Sequence, residues 1–406
     1  MSSNHIGGIP NRRQVLLGAS ALAVASGTGA ALAAEPFRIG APNSVTGAAA
    51  AFGTEIQNTI NALAKEINAI GGPAGAPFEV FSEDSQTLPE PALLAAKKLI
   101  EVNKVRALLG VQTSPEALAI IPASNAADVM LFHTGSAPKL LTQNEKGLGF
   151  SFAPSSARYG RAYFDFVEKE GFKKPASLIL TNDASIGNAR SFTEIWAAKY
   201  SSEPPAVQYQ PNQPSYRAEI QKIMSSNPDI ILLHGYELDA TIIIRQLFEV
   251  GYTGKIITPE FAATARLIKV VGKDPVEGIY VLKVIPNTGA SSYKMFQEFI
   301  GRVGKQAVEG TWYAAVAYDQ LNLLALAIEK AGPGATNAQI AAAVPEISNP
   351  DAPLVSSFAE GREKLRAGAK RLNYDGASSP CDFDAKGTTP AIFGISVIKE
   401  GAVKSL

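Results

Sequence analysis

The stretch RALLGVQTSPEALAIIPASNAADVMLFHTGSAP, Arg106 to Pro138, holds two short apolar runs that each end in hydroxyl-bearing residues. RALLGV runs out at Thr113 and Ser114, and VMLFHT at Thr134 and Ser136. Neither run alternates polar with apolar residues, which is the pattern of strands buried on both faces of a parallel sheet. Between them, Thr113-Ser114-Pro115-Glu116 fits the T-x-x-E capping box with proline in the first turn. Strand, helix and strand in this order are the unit of an α/β fold.

The same alternation extends in both directions. FRIGA, FEVFSED, SLILTND, IILLHGY, KIITPE and IYVLKV read as further strands, and FGISVIK as the last. In GTEIQNTINALAKEINAIGG, Ile56, Ile60, Leu63, Ile67 and Ile70 are spaced as one buried helical stripe, with Gly71 and Gly72 as the stop. SSYKMFQEFIGRVG and TWYAAVAYDQLNLLALAIEKAG read as later helices. Polar or aromatic residues stand just past many strand ends: Asn43 and Ser44, Asn182 and Asp183, Tyr236, Glu260. Open α/β sheets bind ligands outside the carboxyl ends of their strands. A single sheet would need about six strands to present all of these ends, so two sheets facing a cleft are expected. Chain crossings are expected in FSFAPSSARYG (150–160), after GIYVLKVIPNTG, and in NYDGASSPCDFDAKGTT.

Composition narrows the function classes. The chain has 37 Lys and Arg against 37 Asp and Glu, so no net field recruits nucleic acid or an anionic membrane. NRRQVLLGASALAVASGTGAALAA sets Arg12 and Arg13 before an apolar run ending in Ala31-Leu32-Ala33, the layout of an export signal with an A-x-A cleavage site. The arginine pair followed by Gln14, Val15, Leu16 and Leu17 resembles a twin-arginine signal. With no second apolar span, the mature protein is expected to be soluble in the periplasm. Cys381 is the only cysteine, so no disulfide forms within the chain.

The motifs of several chemistries are missing. There is no G-x-S-x-G nucleophile elbow, no phosphate-cradling G-x-x-x-x-G-K-[ST] or G-x-G-x-x-G, and no H-E-x-x-H or cysteine cluster for a metal. No catalytic residue, cofactor or metal is therefore expected. His133 and His234, outside the leader, leave one rival: a hydrolase built on Ser114 or Ser136. Read alone, Thr113 and Ser114 cap a helix, but the free N–H groups of a helix start also attract a carboxylate. A second hydroxyl pair, Thr134 and Ser136, makes a shared anion site credible. Glu260 reads equally as an exposed loop acid or as a site acid.

Several segments carry a family likeness: VTGAAAAFGTEIQNTINALAKEINAIGG, EDSQTLPEPALLAAKKLIEVNKVRALLGVQTSPEALA, FHTGSAP, AYDQLNLLALAIEKAG and YDGASSPCDFDAKG. Over nearly the whole mature length the chain resembles the type 1 periplasmic solute-binding proteins of the leucine/isoleucine/valine-binding group. The resemblance implies two α/β lobes with parallel sheets flanked by helices and joined by three crossover strands. It divides the chain into a signal at 1–33, a first lobe of 36–153 plus 284–370, and a second of 154–283 plus 371–406. It also implies a non-enzymatic, monomeric protein that closes on a small ligand and delivers it to an ABC permease.

By the same resemblance, Ser114 matches a carboxylate-binding serine, Thr134 a carbonyl that holds the ligand ammonium, and Ser136 a hydroxyl at the ligand's charged end. Tyr236 matches an aromatic that closes from the second lobe, and Glu260 the acid that pairs with the α-ammonium. Phe52 takes the place of a frequent cleft tyrosine, Tyr313 is a further first-lobe candidate, and Ile186 stands where amino-acid binders often carry tyrosine. A buried zwitterion needs donors for its carboxylate and acceptors for its ammonium. Phe52 and Ile186 would then suit an apolar or branched amino acid. An aromatic or other small carboxylate is the alternative ligand, but it leaves Glu260 without a cation.

Overall fold

The computed structural model describes residues 1–2, 35–305, 308, 310–384 and 386–406. The expected export signal, beyond its first two residues, lies outside these. Strands β1 (Phe37–Asn43), β2 (Phe78–Asp84), β3 (Ala107–Val111), β4 (Met130–His133) and β5 (Gly149–Ser151) form a sheet in the order β2-β1-β3-β4-β5. All four pairings are parallel. Strands β6 (Pro175–Leu180), β7 (Ala206–Tyr209), β8 (Ile230–His234), β9 (Lys255–Pro259) and β10 (Tyr280–Ile285) form the parallel part of a second sheet. A short ladder pairs β11 (Leu354–Val355) with β12 (Asn373–Tyr374). Two antiparallel strands, β13 (Ile392–Lys399) and β14 (Ala402–Ser405), complete the second sheet in the order β14-β13-β10-β9-β8-β6-β7.

Twelve helices matter to the site or its support. They are α1 (Ala50–Ala69), α2 (Pro89–Glu101), α3 (Ser114–Ala126), α4 (Pro138–Gln143), α5 (Ser156–Lys169), α6 (Asp183–Tyr200), α7 (Arg217–Met224) and α8 (Glu237–Glu249), followed by α9 (Ala265–Val271), α10 (Lys273–Val276), α11 (Ser291–Val303) and α12 (Trp312–Ala331). Ile56, Ile60, Leu63 and Ile67 form the buried stripe of α1, and each such side chain contributes roughly 1.5–3 kcal/mol by leaving water. Ile70 drops out of the stripe: it is the exposed C-cap residue, ahead of Gly71 and Gly72 in left-handed conformations.

The apolar runs are uninterrupted because helices cover both faces of each sheet. In β3, Ala107 and Leu109 join the core that includes α1 and α12, whereas Leu108 and Val111 join the one under α2 and α3. In β8, Ile230 and Leu232 share a core with Phe192 and Trp196, and Ile231 and Leu233 share the other with Ile220 and Ile243. Strands β5 and β7 have no such run and were not visible in the sequence: one is three residues long, and the other buries only alternate residues.

The chain crosses between the sheets three times, after β5, after β10 and before β13. The crossings are tied side by side. Ser151 N–H donates to the Gly387 carbonyl at 2.7 Å, and Asn287 N–H to that of Ala377 at 2.9 Å. Two boundaries differ from the partition implied by resemblance. β10 stays in the second sheet as far as Ile285, past the boundary at 284. Residues 374–378 belong with the first lobe, because Asp319 on α12 accepts bonds from Ala377 N–H (2.8 Å), Ser378 N–H (2.7 Å) and Tyr374 O–H (2.8 Å). A carboxylate buried as deeply as Asp319 needs those donors.

Candidate functional site

Gly110 is the next-to-last residue of β3, just ahead of the turn into α3. It has a φ of +77°, and a Cβ there would lie 2.4 Å from Asn43 Nδ2, so the position favours glycine. Its N–H donates to Gln320 Oε1 at 2.9 Å, which anchors the turn to α12. The chain then enters α3 through the expected cap. Thr113 and Glu116 form a reciprocal capping box, and Thr113 O–H also donates to Glu116 Oε2 at 2.6 Å.

Glu116 does more than close the box. Its other oxygen accepts from Ser44 O–H at 2.8 Å and from Ser85 O–H. The ends of β1, β2 and β3 thus converge on one buried carboxylate. Burial raises its pKa, and four hydrogen bonds oppose that rise. Ser114 ties in the next strand end: its Oγ accepts from Ser136 N–H at 2.9 Å and Ala137 N–H at 3.1 Å. With Oγ so occupied, the Ser114 hydroxyl proton remains to be donated to a ligand. Thr134 O–H donates to the Gln112 carbonyl at 2.7 Å, holding the two strand ends together.

The second lobe repeats the plan. Asn182 caps α6 by accepting from Ser185 N–H at 2.8 Å, and Tyr236 occupies the N-cap position of α8. One cavity lies between the two sets of strand ends, lined from the first lobe by Phe52, Gln112, Ser114, Thr134, Ser136 and Tyr313, and from the second by Tyr159, Tyr163, Asn188, His234 and Tyr236. Its volume is about 50 Å³. That exceeds the roughly 10–15 Å³ a single water needs and is small for a cleft between lobes, so it suits a small solute. Aromatic contacts build the walls: Phe52 with Tyr313 (centroids 4.7 Å apart), Tyr236 with Phe261 (5.5 Å) and Tyr163 with His234 (4.9 Å).

No lysine or arginine lines the cavity among the described residues. An anion in this cavity would therefore meet only neutral donors and the start of α3. Pro115 has no N–H, and Glu116 N–H already donates to Thr113 Oγ1. The first-turn donor left is the Ser114 N–H. Glu260 follows β9 between the lining residues Pro259 and Phe261. It is partly buried, and its side chain accepts one bond, from Val284 N–H at 3.3 Å. Desolvation pushes its pKa up to about 7, with only the Val284 bond and the charge of Lys283 opposing. Burial, with Glu260 nearby, keeps Tyr159 and Tyr313 protonated as donors.

Six of the eight expected site residues, Phe52, Ser114, Thr134, Ser136, Tyr236 and Tyr313, line this cavity, and Glu260 sits at its edge. Ile186 does not line it. On α6 the lining positions are Ala184, Ser185 and Asn188. Residues 184 and 188 are one turn apart on the same helix face, whereas 186 points about 200° away from 184. The sequence does not single out Gln112, Tyr159, Tyr163 or Asn188, whereas His234 reads as a strand-end histidine and lines the cavity. Tyr159 and Tyr163 carried a usable signal, an aromatic pair at i, i+4 just after a chain crossing.

A family model described as periplasmic binding protein matches residues 36–390. The chain belongs to that family. Its members bind small-molecule solutes and work with ABC transporters. An "Amino acid binding protein" from Pseudomonas aeruginosa is 25% identical over 312 residues, 72% of this chain and 78% of the relative. The crystal structure of a leucine-binding protein from Thermotoga maritima superposes with a TM-score of 0.75 at 23% identity, covering 91% of this chain and 97% of that one. A solute-binding protein of an ABC transporter from Rhodopseudomonas palustris, in complex with 3,4-dihydroxybenzoic acid, gives a TM-score of 0.69 at 18% identity, covering 91% and 96%. At these identities the solved structures establish the fold, which both kinds of ligand share. Among the described residues no helix is long and apolar enough to cross a membrane.

Proposed function

We propose that this family member is exported to the periplasm, captures an α-amino acid as its zwitterion in the cleft between the lobes, and delivers it to an ABC permease. One observation carries the reading: Glu260 is desolvated at the cavity edge with a single long hydrogen bond and no ion pair among the described residues. Such a carboxylate is costly unless a cation comes to it, and a ligand ammonium is that cation. Ser114 and Ser136 supply the opposite half, the hydroxyl donors for the ligand carboxylate. Because the two halves belong to different lobes, ligand stabilises the closed state over the open one.

Hydrolysis has less support. The Ser114 oxygen is held by two backbone N–H groups, and the His133 Nδ1 accepts from Gly135 N–H at 3.1 Å. An aromatic carboxylate is the second reading, favoured by the aromatic walls and by the dihydroxybenzoate complex of a similar fold. Thermal shift separates the two. Saturating ligand at about a hundred times Kd stabilises by roughly 2.7 kcal/mol. The zwitterion reading expects that response from at least one α-amino acid and none from benzoate or hydroxybenzoates. A response to the benzoates alone would overturn it.

A further inference from the structure

Three lining residues carry polar atoms without a hydrogen-bond partner among the described residues. Gln112 Oε1, Asn188 Oδ1 and both ring nitrogens of His234 are buried without a hydrogen-bond partner. The residues are 6%, 7% and 2% exposed, and all three line the cavity. Buried polar groups are nearly always paired, and each exception calls for an explanation. Three such residues around one cavity, from both lobes, share one: the partner is the ligand. Gln112 follows β3 in the first lobe, whereas Asn188 on α6 and His234 at the end of β8 belong to the second. The set is therefore complete only when the lobes are closed.

The chemistry of the set restricts what fits. Burial holds the imidazole neutral, with its pKa pushed down to about 3, so one ring nitrogen donates and the other accepts. Each amide offers both functions. No lysine or arginine lines the cavity among the described residues, so a second ligand carboxylate would have no counter-ion. Glu260 is committed to the α-ammonium, so a cationic side chain has none either. An aliphatic side chain would seal the orphaned atoms in without partners.

We propose that the ligand is an α-amino acid whose side chain ends in an uncharged group that both donates and accepts hydrogen bonds, a hydroxyl or a carboxamide, read by Gln112, Asn188 and His234. This rests on the zwitterion reading of the same cleft. It replaces the apolar or branched preference, one of whose two supports, Ile186, lies off the cavity.

Calorimetric titration of the full chain with matched pairs tests it: threonine against valine, and asparagine against leucine. Sites built to hydrogen-bond a substrate group reject the analogue lacking it strongly, so the polar member of at least one pair should bind about 100-fold tighter or better. The threonine and asparagine arms identify which polar end is preferred. If valine and leucine match or exceed their polar partners, this proposal falls and the zwitterion reading stands, with ordered water filling the polar positions. If no α-amino acid binds at all, the zwitterion reading itself falls. His234→Phe keeps the ring against Tyr163 and removes both nitrogens, and Asn188→Leu removes an amide; each should cut the polar-to-apolar affinity ratio by about tenfold or more without lowering the ligand-free Tm. A merely structural role would lower Tm and leave the ratio alone. Should the first variant fail to fold, the second carries the same readout, and an unchanged ratio in it overturns the assignment.

Discussion

Two carboxylates stand at the two halves of the cleft, and both have their pKa raised by loss of water. Glu116, in the first lobe, is 1% exposed and collects donors from Ser44, Ser85 and Thr113. Glu260, in the second, is less buried and has one long bond, from Val284 N–H. The more deeply buried acid is the better satisfied. Burial alone therefore does not mark a functional carboxylate; the balance between burial and donors does. Glu116 completes the fold, whereas Glu260 is left to be completed by something else.

The strongest test of that contrast is to remove Glu116. In Glu116→Ala the hydroxyls of Ser44, Ser85 and Thr113 lose their shared acceptor in a buried site, and the α3 cap opens. A loss of roughly 3–5 kcal/mol in unfolding free energy is expected from urea melts, the range of a broken buried network. A loss below about 1 kcal/mol, the size of an ordinary cap effect, would show that the three strand ends do not depend on it.

Glu260→Gln should act in the reverse sense, on binding rather than on folding. Affinity for the amino acid is expected to fall about 100-fold, close to 2.7 kcal/mol. The wild-type pH profile gives the sharper reading. The folded pKa of about 7 lies above the ordinary glutamate value of 4.5. The folded state therefore holds the proton more tightly, and ligand-free stability falls as pH rises from about 4.5 through 7. An ammonium ligand requires the ionised form, so its affinity should rise with pH, by roughly tenfold between pH 6 and pH 8, and should be flat in Glu260→Gln. A simple carboxylate prefers the protonated form, and its affinity should fall over the same interval. Titration at the two pH values thus decides between the two ligand classes by sign alone.

The unequal treatment of the two acids also explains what could be read from the sequence. The parallel strands announced themselves because helices cover both faces, which forces uninterrupted apolar runs such as ALLGV and IILLH. The α3 start was legible because a capping box is local. Glu116 as a meeting point was not, since Ser44 and Ser85 lie 72 and 31 residues away along the chain. Nothing in KIITPE distinguishes an enclosed Glu260 from an exposed one. Its pKa depends on the cleft, which exists only once two lobes have folded. Of the helical positions given by family resemblance, Phe52 on α1 and Tyr313 on α12 line the cavity and Ile186 on α6 does not, because a helical position must also have the right rotation.

Ile186 is where that rotation can be measured. The resemblance put it in the ligand pocket, and the structure leaves it between lining residues on α6 without lining the cavity itself. If helix phase decides membership of the site, Ile186→Ala should change ligand affinity by less than about threefold, under roughly 0.7 kcal/mol. Its effect on stability should also be modest, because the side chain is only partly buried and its removal leaves no enclosed cavity. Asn188→Leu, half a turn further along the same helix, should change selectivity by tenfold or more. The pair needs only two calorimetric titrations of well-folded variants. Equal effects at the two positions would mean that α6 turns or slides when ligand enters, and that the contrast between a finished first lobe and a ligand-completed second lobe extends from one carboxylate to a whole helix.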